Sequence, residues 1–281
     1  MISTDARDRL CRLPKIRRAR EFRLYTADGR RIIDLWQAGG RAILGHRGGG
    51  VVSAVKRVLD RGVLTPFPSV QERRLEQALG RLFPELPAAR VAVFGSEERA
   101  IAALSRALAV PAEACLPAEP TSCAAAGFAA PASDNRPDIW YWRPFLPIHE
   151  RWEHIIRSSA IIPVLPDGGL FPVQPVVFSR ELELDLKSDL VPEPALAALT
   201  AAVHALASAH ERRLLAVDGF TGIGPYLVPD TTDGYDRLFD GCLDAGVLIS
   251  PDPAVPSIVP GVFSDGERAQ IITAIRRWLS G

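Results

Sequence analysis

The chain has 281 residues, 47% of them hydrophobic, enough to bury a substantial core in one large or two modest domains. Its 33 basic residues balance 33 acidic ones, so no global field draws it to nucleic acid or an anionic membrane, and neither is expected as a partner. No apolar run is long enough to span a bilayer, residues 1–30 contain no signal-peptide core, and the cysteines (Cys11, Cys115, Cys123, Cys242) form no C-x-x-C pair, which argues against a zinc site or disulfide framework and for a reducing, cytoplasmic setting.

Ten Lys or Arg lie between Arg7 and Arg31, against Asp8, Glu21 and Asp28. Without a nucleic-acid reader motif, such a run implies a solvated face or an interface rim. Residues 21–26 and 31–36 are β-prone and flank Asp28-Gly29, which predicts a hairpin. After the glycine-rich stretch 46–50, Val51, Val52, Val55, Val58 and Leu59 predict an amphipathic helix. Ser69 and Glu72 have capping-box spacing, and Leu75, Leu79 and Leu82 continue a helical stripe until Pro84.

Residues 91–94, then Gly95-Ser96, then 97–108 predict strand, tight turn and helix, with Glu97 and Glu98 in the first helical turn. Short strands are expected at 113–116, 139–142, 160–165 and 175–178, and their alternation with helices implies a mainly parallel sheet. Residues 118–137 are rich in Ala and Pro and predict loop. Beyond Pro194 come a helix with Leu196, Leu199, Val203 and Leu206, strands at 213–217 and 226–228, and a helix at 235–245. Strands at 247–249 and 258–259 follow, and Ser264 caps a last helix carrying Ile271, Ile272, Ile275, Trp278 and Leu279.

This order of parts resembles the class III aminotransferases, which depend on pyridoxal phosphate and have fold type I. Asp28-Gly29-Arg30-Arg31-Ile32-Ile33-Asp34 followed by Leu44-Gly45-His46 resembles their N-terminal signature. Phe94-Gly95-Ser96-Glu97 resembles their phosphate turn, where free N–H groups at a helix N-terminus and a hydroxyl can meet an anion. Gly168-Gly169-Leu170-Phe171-Pro172 and the following strand resemble the segment just after the family's Schiff-base lysine. Residues 243–249, the 258–260 strand and the terminal helix resemble its C-terminal lobe.

The resemblance implies an α/β chain: a reduced three-layer αβα lobe with a small α+β lobe built from both chain ends. The expected divisions are 1–62 (N-terminal part of the small lobe and linking helix), 63–190 (large lobe) and 191–281 (C-terminal small lobe). It also implies a homodimer; pairing with an active paralogue is a further alternative.

An imine with the cofactor needs a lysine amine. The chain has three lysines, Lys15, Lys56 and Lys187, and none stands at the family position, which falls on or next to Leu165 or Pro166. The acid that pairs with the cofactor's pyridine nitrogen is also missing, because the strand at 139–142 ends in Trp142-Arg143-Pro144. In a rival register Leu214-Leu215-Ala216-Val217-Asp218 supplies that acid, but no lysine follows it. The segment that supplies the ring stack is short, with 121–124 as a remnant of its start. The expectation is therefore an aminotransferase-like pseudoenzyme, acting as scaffold, regulator or ligand-binding protein. No catalytic or metal residue is expected, and Gly95 and Ser96 are a remnant phosphate turn. The cofactor is either none or pyridoxal phosphate bound non-covalently; the alternative function is an enzyme that binds pyridoxal or pyridoxamine phosphate in that way.

Other constellations carry less. His149 and His154, with Glu150 and Glu153, are five residues apart and do not share a helix face, so surface histidines are expected rather than a metal site or a base replacing the lysine. Trp140 and Trp142 share a strand face near Trp152, which implies a core or subunit contact. Ser96 lacks the second glycine of a nucleophile elbow and is expected to cap a helix.

Overall fold

The computed structural model describes residues 4–86, 88–111, 115, 121, 139–147, 159–210 and 213–279. The elements run α1 (Thr4–Cys11), β1 (Ile16–Arg20), β2 (Arg23–Thr26), β3 (Arg31–Asp34), α2 (Val51–Leu59), α3 (Val70–Leu82), β4 (Arg90–Phe94), α4 (Glu97–Leu108), β5 (Ile139–Trp142), β6 (Ala160–Pro163) and β7 (Gln174–Phe178). After these come α5 (Glu193–Ala207), β8 (Phe220–Ile223), β9 (Tyr226–Pro229), α6 (Tyr235–Asp244), β10 (Val247–Leu248), β11 (Ser257–Ile258) and α7 (Asp265–Leu279). The predictions at 113–116 and 118–137, the histidines at 149 and 154, and Trp152 fall wholly or largely outside the described residues.

The larger lobe is built on a sheet ordered β4-β7-β6-β5. Side chains alternate across each strand, so one sequence feeds two cores. Val93, Trp140, Ile161 and Val177 face α2, α3 and α5. Ala92, Phe94, Ile139, Ile162, Val176 and Phe178 face α4. The result is the expected three-layer αβα lobe. Trp140 is fully buried, and Trp142 meets Phe83, just beyond the end of α3, edge-on at 5.1 Å, so this tryptophan pair is core.

The sheet is mixed, not mainly parallel. β4, β5 and β6 run in the same direction, but only β5 and β6 pair in parallel, because β7 runs the other way and pairs antiparallel with both β6 and β4. Residues 164–173 are too few to cross over with a helix, and Gly168 and Gly169 take left-handed φ of 76° and 67°. The chain therefore turns straight back on itself. In α2 the buried residues are Val51, Ala54, Val55 and Val58, while Val52 and Leu59 point to solvent. Residue 52 lies about 100° around the helix from 51, which removes it from the stripe. The capping box of α3 is formed: Ser69 Oγ accepts from the Gln71 N–H at 3.1 Å and Glu72 Oε1 accepts from the Ser69 N–H at 3.2 Å. α5 is buried on nearly every side, as an apolar helix without a polar face must be, and packs on α2 and α3.

The smaller lobe joins both chain ends. β1-β2-β3 form the predicted hairpin plus one further strand, and β10 adds in parallel with Val247 opposite Ile33. Ile32, Ile33, Phe239, Leu248, Ile271 and Ile275 share its core with α6 and α7. Trp278 sits on the edge of that face and remains 41% exposed. A second small sheet is ordered β11-β9-β8. Residues 213–217 make no ladder: Leu215 and Val217 anchor an extended segment in the core, and β9 pairs with β8 and β11.

Part of the basic run is structural. Arg9 is buried, donates to both carboxylate oxygens of Asp236 at 3.1 Å and caps the Pro251 carbonyl at 2.8 Å, pinning α1 to α6. Arg23 forks onto Glu267 of α7 at 2.7 and 2.8 Å. Arg17, Arg18 and Arg20 line the exposed edge strand β1, where charge discourages pairing with another chain. No described helix is long and apolar enough to cross a membrane.

Candidate functional site

β4 ends in buried Phe94, and Gly95-Ser96 turns the chain into α4. Ser96 is the N-cap: its backbone is extended and its Oγ accepts from the Arg99 N–H at 3.3 Å. The same hydroxyl hydrogen-bonds the Glu98 carboxyl and holds it below the usual carboxylate range. Glu97 accepts from the Tyr141 hydroxyl of β5 at 2.5 Å. Both partners of the Ser96 hydroxyl therefore belong to its own helix.

The open side of the turn is filled by a residue distant in sequence. The segment after β7 returns alongside β4, with the Asp189 N–H donating to the Val93 carbonyl at 2.8 Å and the Val93 N–H donating to Ser188 Oγ at 3.0 Å. This docking delivers the Asp189 carboxylate to the helix N-terminus. Its Oδ2 accepts from the Gly95 N–H at 2.9 Å and from Arg99 Nε at 2.6 Å, while Oδ1 accepts from Arg99 Nη2 at 2.6 Å. The Arg99 fork, helped by the Gly95 N–H, draws the carboxyl down to about 2. A Cβ on Gly95 would sit 3.6 Å from Asp189 Oδ2, so the space in front of the turn is already occupied by carboxylate.

These residues do not fit a cofactor phosphate. A dianion at the Gly95 N–H would have to displace Asp189, break its ion pair and sit beside Glu97 and Glu98. The helix dipole that could hold the phosphate is already complemented by this carboxylate.

The other positions implied by the sequence are equally specific. Leu165 is 3% exposed and packs in the core with Trp140 and Val173. Next to Pro166, Asp167 is buried; it accepts from the Gly169 N–H at 3.0 Å, lies 3.5 Å from Arg41 Nη1, and burial pushes its carboxyl up. Arg143 follows β5, where the resemblance implies an acid. Its side chain is buried over the Tyr226 ring and donates to the Gly39 carbonyl at 2.8 Å. Asp218 lies apart from these groups, on the surface of the smaller lobe, where it accepts from Arg276 of α7 at 2.7 Å. Lys15, Lys56 and Lys187 are all exposed. Among the described residues no cluster of His, Cys, Asp and Glu could hold a metal ion.

Sequence reasoning found Gly95 and Ser96 but not Asp189 or Arg99. Asp189 lies 94 residues from Gly95 in a stretch without a motif, and only the return of the chain beside β4 brings the two together.

Comparison with known proteins places the fold. The chain superposes on ornithine delta-aminotransferase of Plasmodium falciparum with a TM-score of 0.64 and 12% identity, covering 94% of this chain and 93% of that one. Acetylornithine aminotransferase from Elizabethkingia anophelis gives the same TM-score, identity and coverages. The chain thus has the aminotransferase fold of type I. By sequence it is 28% identical to an uncharacterised protein of Treponema pallidum (strain Nichols), over 89% of this chain and 90% of that protein. A shorter stretch, 29% of this chain and 19% of the relative, is 34% identical to glutamate-1-semialdehyde 2,1-aminomutase of Syntrophus aciditrophicus. No family model matches.

Proposed function

We propose that this protein keeps the aminotransferase fold without transamination, as a pseudoenzyme whose cofactor turn is closed by its own Asp189. The observation that carries the reading is the 2.9 Å hydrogen bond from the Gly95 N–H to Asp189 Oδ2, with Arg99 forked onto the same carboxylate. Two further features support it: buried Leu165 on or next to the position the resemblance implies for the lysine, and an arginine where the resemblance implies the acid. A pyridine nitrogen facing that arginine would not be held protonated, which removes the electron sink this chemistry needs. Its role is then that of a scaffold, regulator or ligand-binding protein, working as a homodimer or beside an active paralogue.

The test is a joint absorbance and calorimetric titration of the purified protein with pyridoxal phosphate. The expected result is no saturable heat and no imine band. Saturable binding to the unmodified protein would overturn the closed turn, and an imine band would overturn the loss of chemistry. Sedimentation of the protein alone checks the dimer.

A further inference from the structure

On the far side of the larger lobe, α2, α3 and α5 enclose a cleft of about 560 Å³ that the aminotransferase resemblance does not explain. Its floor is apolar and made of small residues, Ala54 and Val58 of α2 with Ala197 and Ala201 of α5. Its rim carries the guanidinium groups of Arg57, Arg61 and Arg74 with His204 beside them, and no Asp or Glu lines it.

Arg61 is engaged by Glu193 at the start of α5. Arg57 and Arg74 make no ion pair among the described residues, so two guanidinium groups face the cleft uncompensated. Arginine's planar fork matches carboxylate or phosphate oxygens in pairs.

Gln71 supplies the second, independent observation. It is only 6% exposed and lines the cleft, yet its side-chain amide has no hydrogen-bond partner among the described residues. Its backbone N–H is separately satisfied by Ser69 Oγ at 3.1 Å. The amide atoms keep access to solvent, and as part of the cleft lining they are available to a ligand beside the arginines. The neighbouring Thr200 hydroxyl donates to the Leu196 carbonyl at 2.8 Å, which turns its lone pairs outward as acceptors.

We propose that this cleft binds a small organic anion carrying two or more carboxylate or phosphate groups. Its charges lie on Arg57 and Arg74, its body covers the alanine floor, and the Gln71 amide bonds a polar atom of it. The volume falls within the range of about 300–1,000 Å³ found for small-molecule sites. The proposal is independent of how the Gly95 turn is used, since no residue is shared between the two places.

Calorimetric titration of the full chain with citrate and, separately, with inorganic pyrophosphate tests it and separates the carboxylate from the phosphate source. Saturable binding of either probe is expected, weakened about tenfold or more by R57Q/R74Q and also weakened by Gln71→Leu. The R57Q/R74Q protein should melt at the unmodified temperature, because both guanidinium groups are exposed. Absence of heat with both probes would overturn the proposal, as would binding that survives R57Q/R74Q. It also falls if R57Q/R74Q changes the sedimentation of the protein while both titrations stay unaltered, because the cleft would then be a contact between chains.

Discussion

The backbone N–H of Gly95 donates to Oδ2 of Asp189 at 2.9 Å, so the turn that could cradle a phosphate is bonded to the chain's own carboxylate. Arg99, one turn into α4, fixes that carboxylate through two further hydrogen bonds of 2.6 Å each. Closure of the turn is thus a property of three residues that no single sequence segment contains.

Acid should weaken the fold through this contact and one other. Arg99 holds the Asp189 carboxyl at about 2, and Arg23 holds Glu267 at about 2. Unfolded carboxyls titrate near about 4. Because the folded values lie lower, the stabilisation is complete above about pH 4.5 and is lost as pH falls toward 2. Urea midpoints measured between pH 6 and pH 2.5 should therefore decline, and Asp189→Asn should flatten part of the decline. An unchanged slope in that variant would mean the pair contributes nothing in solution.

Asp167 should act with the opposite sign. Burial raises its carboxyl, and the nearest cation, Arg41, is 3.5 Å away. A raised folded value means that the charged form opposes folding at neutral pH and that the opposition is relieved on acidification. Asp167→Asn keeps an acceptor for the Gly169 N–H and removes the charge. Its melting temperature at pH 7 should equal or exceed that of the unmodified protein; a fall of several degrees would show that the Arg41 attraction wins.

Restoring a lysine alone should not restore chemistry. Leu165 is buried among Trp140, Val173 and Leu196, so Leu165→Lys should lower stability by about 2–4 kcal/mol as an amine is desolvated. With the turn still closed, pyridoxal phosphate should give no imine band. Combining L165K with Asp189→Ala separates the two obstacles: a band in the combination alone would identify Asp189 as the barrier to phosphate entry.

The sequence was most legible where local chemistry decides local structure. Asp28-Gly29 specified the hairpin, and Ser69 with Glu72 specified the start of α3, because each contact lies within a few residues. Legibility fell where the partner is remote. Residues 213–217 are apolar enough for a strand, but Leu215 and Val217 bury without a ladder, and β9 pairs instead with the less β-prone Phe220-Thr221-Gly222-Ile223. The antiparallel course of β7 was hidden for the same reason, since the short return at Gly168 and Gly169 outweighs the strand–helix alternation that suggested a parallel sheet. At the candidate site the turn was visible as a motif, while the carboxylate that fills it was not.

Helix phase gives a quantitative contrast between two leucines. Leu75 of α3 is fully buried, and Leu59 of α2 is 48% exposed although it belongs to an apolar-looking run. Leu75→Ala should cost about 2–5 kcal/mol by denaturant unfolding. Leu59→Ala should stay within about 0.5 kcal/mol. Equal losses would place Leu59 against a partner surface.

The tip between β8 and β9 should be far less tolerant than another glycine of the same lobe. Gly224 has φ of +58°, and a Cβ there would lie 2.9 Å from the Phe145 carbonyl oxygen and 3.0 Å from Pro147 Cδ. Gly234, which precedes α6, has φ of +68° but nothing within 4 Å of the same added atom. Gly234→Ala therefore isolates the left-handed strain, about 1–2 kcal/mol. Gly224→Ala adds a collision with backbone, which cannot swing aside as a surface side chain can. The collision falls where the smaller lobe meets the larger, beside the hydrogen bond of 2.6 Å from the Tyr226 hydroxyl to the Pro144 carbonyl. Gly224→Ala should thus exceed Gly234→Ala by about 1 kcal/mol or more in urea unfolding, and it should quicken hydrogen exchange in β8 and β9. Equal effects of the two substitutions would show that residues 145–147 do not press on the turn in solution.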